Sequence, residues 1–136
     1  FLTTKILGAY MAKNKNGVIL NISSDLGIIA PNQDIYDKNR FIKPVTYSVV
    51  KHGIIGLTKY TASYWAKKNI RCNAIAPGGI SNNQDKSFVK KLNQLIPIGR
   101  MAKKNEYNRL VLFLCSDHSS YMTGSVVVAD GGRTII

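Results

Sequence analysis

Ile70-Arg71-Cys72-Asn73-Ala74-Ile75 is a short, mostly apolar run, and Ala76-Pro77-Gly78-Gly79 closes it. The run has the length of a strand, and a proline followed by paired glycines marks a stop. Upstream, Val18-Ile19-Leu20-Asn21-Ile22 is nearly continuous in apolar residues, the pattern of a strand covered on both faces in a parallel sheet. Downstream, Ser125 to Ala129 reads as a last strand, ended by Asp130-Gly131-Gly132. Helical patterns fill the intervals. Residues 1–13 repeat Leu2, Ile6, Ala9 and Tyr10 along one side. Thr46 is the expected N-cap of a helix running to about Asn69. That helix carries Val49, Val50, Ile54, Ile55, Leu57, Tyr60, Ala62, Tyr64 and Trp65 around most of its circumference, which predicts burial on more than one side. Residues 84–95 and 105–115 supply two shorter helices. The order helix, strand, helix, strand, helix, helix, strand predicts an α/β fold with a parallel sheet covered by helices. Its crossovers should be right-handed.

Composition narrows the function classes. The chain has 136 residues, enough for one ordinary domain. Hydrophobic residues make up 45%, which predicts a packed core rather than disorder. No apolar run approaches the roughly 20 residues that span a bilayer. The formal net charge is +12, but it is spread over lysine pairs: Lys13 and Lys15, Lys67 and Lys68, Lys90 and Lys91, Lys103 and Lys104. There is no arginine-rich stripe and no aromatic ladder among them, so neither nucleic acid nor membrane is an expected partner. Cys72 and Cys115 read as two small buried hydrophobes. They form no CxxC pattern, no metal site is assigned, and a reducing cytoplasmic setting fits. The chain does not begin with Met and shows no signal-peptide pattern. The expectation is that further residues precede Phe1.

In open sheets of this class, ligands bind beyond the C-terminal ends of the strands. Ser23-Ser24, Pro77-Gly78-Gly79-Ile80 and Asp130-Gly131-Gly132 all lie there. Tyr47 and Lys51 are four residues apart on a helix and share a face. A free tyrosine has a pKa of about 10 and is a poor acid or base near neutrality. A neighbouring ammonium favours the phenolate, so such a pair can move a proton at physiological pH. By itself the spacing is weak evidence, because Tyr60 and Tyr64 show that the same helix also uses tyrosine for packing. Ser24 can bond a substrate oxygen beside the Tyr47 hydroxyl, or it can simply end a strand. The Pro77–Ile80 turn offers backbone groups that suit a planar amide.

Asn21-Ile22-Ser23-Ser24, Tyr47-Ser48-Val49-Val50-Lys51, Asn73-Ala74-Ile75-Ala76-Pro77-Gly78-Gly79-Ile80 and Asp130-Gly131-Gly132 occur in that order. Together they resemble the C-terminal half of the short-chain dehydrogenase/reductase family over essentially the whole chain. The resemblance implies a partial Rossmann-like, doubly wound parallel sheet, made of the last three strands with flanking helices. It implies that residues 1–136 are the C-terminal part of a single NAD(P)-binding domain whose phosphate-binding half is absent. Tyr47 matches the general acid/base. Lys51 matches the lysine that acts on that tyrosine and holds the nicotinamide ribose. Ser24 matches the residue that orients the reacting oxygen. Pro77, Gly78, Gly79 and Ile80 match the segment over the nicotinamide. The implied cofactor is NAD or NADP, and the implied chemistry interconverts a secondary alcohol and a ketone.

The sequence departs from the family pattern in three ways. The glycine-rich phosphate loop, the NAD/NADP selector and the catalytic asparagine are not in it. Asn82 stands where members usually place a cofactor-binding threonine. The interval from Ser24 to Tyr47 is longer than in typical members, and its extra part, Asn32 to Lys43, is polar and charged. Such a segment should rim the substrate pocket and favour a polar, sugar-like or anionic substrate. The residues around Tyr47 and Ile80 resemble members associated with surface-polysaccharide or flagellin sugar modification. Alternatives are an enzyme resembling 3-oxoacyl-carrier-protein reductases, a catalytically inactive fragment, or a dinucleotide-binding sensor. The isolated chain is expected to bind cofactor weakly or not at all. A homodimer or homotetramer through the 46–69 helix is the expected assembly.

Overall fold

A computed structural model describes residues 1–37 and 42–136. Helix α1 (Leu2–Lys13) leads into strand β1 (Gly17–Ile22), helix α2 (Val45–Trp65) and strand β2 (Ile70–Pro77). Helices α3 (Lys86–Asn93) and α4 (Asn108–Cys115) come next, then strand β3 (Val126–Ala129). The sheet is parallel with order β1-β2-β3, so the expected α/β architecture of three strands with flanking helices stands. Strand β2 lies in the middle. Its Ile70, Cys72, Ala74, Ile75 and Ala76 are buried. Strand β1, expected to be covered on both faces, is only half-buried, and its Ile22 is exposed. It lies at the edge of the described sheet.

Asn73 is a polar residue in the most buried strand, and the structure satisfies it. Its Nδ2 donates to the Met122 carbonyl at 2.8 Å, and its Oδ1 accepts the Ser125 N–H at 3.0 Å. Arg71 donates from Nη1 to Ser119 Oγ at 3.0 Å and from Nη2 to the Ser116 carbonyl at 2.9 Å. Two side chains of β2 thereby hold the loop that delivers β3, and a buried polar group with all its bonds made costs little.

Several local expectations change. Helix α2 begins at Val45 with Pro44 as its N-cap, not Thr46, and no side chain caps it. Proline suits this position because its missing N–H would have had no helical partner. The helix ends at Trp65 and tightens into a 3-10 turn over Ala66–Lys68, which Asn69 closes with φ 59°. The buried face of α2 is made of Thr58, Thr61 and Ala62 rather than its large residues. Val49, Val50, Tyr60 and Tyr64 are exposed, as are Leu2, Ile6 and Tyr10 of α1. Helix α1 meets α2 at Gly8, where an added Cβ would lie 2.0 Å from the Trp65 ring. Cys72 is buried, and burial pushes its thiol up to about 11. Cys115, expected to be buried, is exposed, because α4 turns its last residue outward.

Thr58 is fully buried and joins α2 to the sheet. It donates to the Ile54 carbonyl at 2.8 Å and accepts from Asn21 Nδ2 at 2.9 Å. Thr58→Val keeps the shape and leaves the Asn21 amide with only a weak 3.7 Å contact to Cys72 Sγ. It should lower stability by about 1–3 kcal/mol in urea denaturation, while Thr58→Ser stays closer to the parent. Equal midpoints for Thr58→Val and the parent would remove the link.

Candidate active site

The parallel register sets Ile22 opposite Ile75 and Pro77 opposite Ala129, so the three strands end along one edge. The chain leaving β1 stays attached to that edge, because the Ser23 N–H donates to the Ile75 carbonyl at 2.8 Å. Ser23 Oγ donates to the Lys51 carbonyl at 2.8 Å and ties this exit to α2. The closeness of the two segments requires glycine at Gly27: a Cβ there would meet Ser23 Oγ at 2.5 Å and the Lys51 carbonyl oxygen at 2.8 Å. Ser24, in extended backbone, precedes the 3-10 turn Asp25–Gly27. Its hydroxyl donates to Asp25 Oδ1 at 2.8 Å and accepts the Leu26 N–H at 3.2 Å.

Tyr47 sits in the first turn of α2 and Lys51 one turn further on. Lys51 Nζ donates to the Ile22 carbonyl at 3.0 Å and lies 5.6 Å from the Tyr47 ring centroid. Ser24, Tyr47, Lys51, Pro77, Gly78, Gly79 and Ile80 line one cavity of about 330 Å³. Asn82 does not line it; it is exposed, and its N–H donates to Gln84 Oε1 at 2.6 Å.

The turn after β2 is held from behind. The Gly78 N–H donates to the Ala129 carbonyl at 3.0 Å, and a Cβ on Gly78 would lie 2.8 Å from Asp130 Cα. The Gly79 carbonyl accepts the Ala102 N–H, and the Ala102 carbonyl accepts the Ser81 N–H, both at 2.9 Å. Arg100 and Glu106 brace the 100–106 segment through two parallel 2.7 Å hydrogen bonds.

The profile of the enoyl-(acyl carrier protein) reductase family matches residues 1–134. A 3-oxoacyl-[acyl-carrier-protein] reductase of Thermotoga maritima is 39% identical over 99% of this chain and 52% of its own length. The chain belongs to the short-chain dehydrogenase/reductase family. A post-translational flagellin modification protein A of Campylobacter coli is 33% identical, covering 90% of this chain and 48% of that protein. A short-chain dehydrogenase of Leptospira borgpetersenii, crystallised with bound NAD+, superposes with a TM-score of 0.91 at 36% identity, over 98% of this chain and 51% of that one. The chain therefore spans about half the length of the relatives it matches.

Within this family framework the segment before Tyr47 is more than a polar rim. Ile35 and Tyr36 are buried in an apolar cluster with Leu92, Ile96 and Met101, and Tyr36 stacks obliquely on Phe88 at 5.4 Å. Periodicity could not flag two apolar residues inside a charged loop. Gln33 fixes the far end: its Nε2 donates to the Lys43 carbonyl and its Oε1 accepts the Lys43 N–H, both at 3.0 Å. That clamp places Lys43 Nζ 4.5 Å from the Tyr47 ring centroid. Lys38, Asn39, Arg40 and Phe41 of the Asn32–Lys43 segment lie outside the described residues. Burial pushes the Tyr36 phenol up, Arg133 opposes this, and Asp25 and Tyr47 add to the rise. Tyr36 is thus a neutral phenol in the cavity wall.

Two charged residues were not singled out by spacing. Asp25 and Arg133 form a buried ion pair, Oδ2 to Nη1 at 2.7 Å, across 108 positions of sequence. Both line the cavity.

The Arg100 fork and the Lys103 N–H hold the Glu106 carboxyl down to about 2, from an ordinary 4.5. A depressed carboxyl stabilises the fold above its unfolded pKa, and that contribution is lost as pH falls through the folded value. The stability gap between the protein and Glu106→Gln should be full above pH 4.5 and close toward pH 2. A gap that stays constant over that window would show that the fork does not act on the carboxylate.

Proposed function

We propose that the chain carries the proton-handling half of an NAD(P)-dependent oxidoreductase that interconverts a secondary alcohol and a ketone. The carrying observation is that Ser24, Tyr47, Lys51 and the Pro77–Ile80 turn share one cavity at the C-terminal edge of a parallel sheet. The donor set fits the nicotinamide end of a dinucleotide: Lys51 for the ribose hydroxyls, backbone groups of Pro77–Ile80 for the planar carboxamide. When bound, that cofactor supplies or accepts the hydride.

The chain's own residues handle the oxygen and the proton. Ser24 and the Tyr47 hydroxyl hold the substrate oxygen between them. Toward the alcohol, Tyr47 gives its proton to that oxygen; toward the ketone, it takes the proton back. The Lys51 ammonium, 5.6 Å from the Tyr47 ring, favours the negative charge that forms on the phenol oxygen. The Asp25–Arg133 pair lines the cavity with two buried charges that compensate one another.

The substrate we infer is polar and sugar-like. Lys43, Gln84 and the neutral phenol of Tyr36 line the cavity with polar groups. A second reading, a 3-oxoacyl thioester, is favoured by the apolar wall of Ile35, Phe88, Leu92 and Met101 and by the Thermotoga relative. A cytoplasmic homo-oligomer completes the reading. Val45, Val49 and Tyr60 on the outer face of α2 are 75%, 66% and 65% exposed and suit a second copy. No helix of the described residues is long and apolar enough to cross a membrane.

The test uses the protein expressed from its complete reading frame, with NADH or NADPH and a panel of keto-sugars and 3-oxoacyl thioesters. Tyr47→Phe should lower kcat by roughly 10²–10⁴-fold while cofactor affinity changes little. Full activity in Tyr47→Phe would refute the assigned role. Turnover of the thioesters alone would replace the sugar-like substrate with the acyl one.

A further inference from the structure

Lys43 stands where two spaces meet. It lines the cavity that holds Tyr47 and Lys51, and it also lines a larger groove of about 1020 Å³ outside it. Gln33 fixes its backbone, since both bonds of that clamp go to the Lys43 N–H and carbonyl. The Lys43 ammonium lies 4.5 Å from the Tyr47 ring centroid and 5.7 Å from that of Tyr36. Both distances are within the range over which a cation is attracted to a ring face. The charged end of Lys43 is thus held beside the Tyr47 ring, while the clamp that places it uses none of its side chain.

The two spaces carry opposite charge balances. Among the described residues, the inner cavity has Lys43, Lys51 and Arg133 against one carboxylate, Asp25. Arg133 is paired with Asp25, and Lys51 donates to the Ile22 carbonyl. The balance there is positive. Among the described residues, the outer groove has Asp34, Asp37 and Asp85 against Lys43 and Lys91, so its balance is negative. Lys91 is turned onto the Asp34 carbonyl at 3.1 Å. An anion is therefore attracted at the inner end, beside Lys43, and repelled further out.

We propose that Lys43 is a specificity-determining residue that takes a carboxylate of the substrate, which makes the substrate a hydroxy or keto acid with its carboxylate near the reacting carbon. The inference deepens the oxidoreductase reading and rests on it. A molecule that meets Lys43 through its carboxylate and Tyr47 through its hydroxyl or ketone oxygen carries the two groups close together. The remainder of the molecule, toward the outer groove, is neutral. Hydroxyl groups suit that groove, because carboxylates accept hydrogen bonds from them. The same lysine keeps the acid compatible with proton transfer. A carboxylate alone beside Tyr47 would oppose the negative charge that forms on the phenol oxygen, and the Lys43 ammonium offsets it.

The test reads binding rather than turnover, so its failure is separate from failure of the Tyr47 assignment. The protein from the complete reading frame, with NAD+ or NADP+ present, is titrated by calorimetry with lactate, 3-hydroxybutyrate, malate and gluconate, and with the neutral amide of each. Lys43→Gln removes the charge and leaves the backbone clamp in place; Lys43→Arg keeps the charge. At least one acid should bind about tenfold tighter than its amide, the increment of a hydrogen bond to a charged group. Lys43→Gln should erase that preference, and Lys43→Arg should retain most of it. A merely structural role for Lys43 would weaken acid and amide alike and leave the preference standing. Amides that bind as tightly as their acids in the parent protein, or a preference that survives Lys43→Gln, would overturn the proposal. So would Lys43-dependent binding of sn-glycerol 3-phosphate in preference to every acid, which would replace the carboxylate with a phosphate. If Lys43→Gln does not fold, Lys43→Met takes its place and is read the same way. The acids are then assayed for oxidation: Lys43-dependent binding with no turnover of any of them would count against the oxidoreductase reading and not against the Lys43 site.

Discussion

Strand β2 is hydrogen-bonded on both sides, and its register sets the position of everything at the candidate site. Ile22 opposite Ile75 fixes where β1 releases Ser23 and Ser24. Pro77 opposite Ala129 fixes where β3 releases Asp130. A slip of one residue in either pairing would turn buried side chains outward and move one of these exits by about 3.3 Å. The buried Asn73 and the half-buried Arg71 oppose a slip between β2 and β3, because each has its partners in the segment that leads into β3.

The second layer of order is polar. Around the cavity, one carbonyl takes the Lys51 ammonium, one takes the Ser23 hydroxyl, and one carboxylate takes both Ser24 and Arg133. Few groups in this region are free to rearrange without leaving a buried partner unsatisfied. Such satisfied networks hold side chains in place more than they add net stability. Precise placement is what proton transfer needs, since the reacting groups must lie within hydrogen-bond reach.

Much of this was legible in the sequence. The three strands are short apolar runs with clear stops, and local chemistry decides them. Ser24, Tyr47, Lys51 and Pro77–Ile80 could be placed because strand ends and helical spacing are local patterns. What stayed hidden depends on contacts between distant residues. Nothing near Asp25 or Arg133 announces an ion pair, since its members are far apart and each alone looks like a surface charge. Ile35 and Tyr36 lie in a charged loop, and only the groove beside Leu92 and Met101 shows why they are apolar. The exposed Cys115 and the Pro44 cap of α2 are boundary effects, decided by how each helix end meets its neighbours.

The central claim is that Lys51, Tyr47 and the Pro77–Ile80 turn form the nicotinamide end of a dinucleotide site. The direct measurement is a crystal structure of the protein from its complete reading frame with a bound nicotinamide dinucleotide. The account predicts the nicotinamide ring against Pro77–Ile80, on the Tyr47 side of the cavity, with Lys51 Nζ bonded to the ribose. A dinucleotide bound elsewhere, with Lys51 still bonded only to the Ile22 carbonyl, would contradict it.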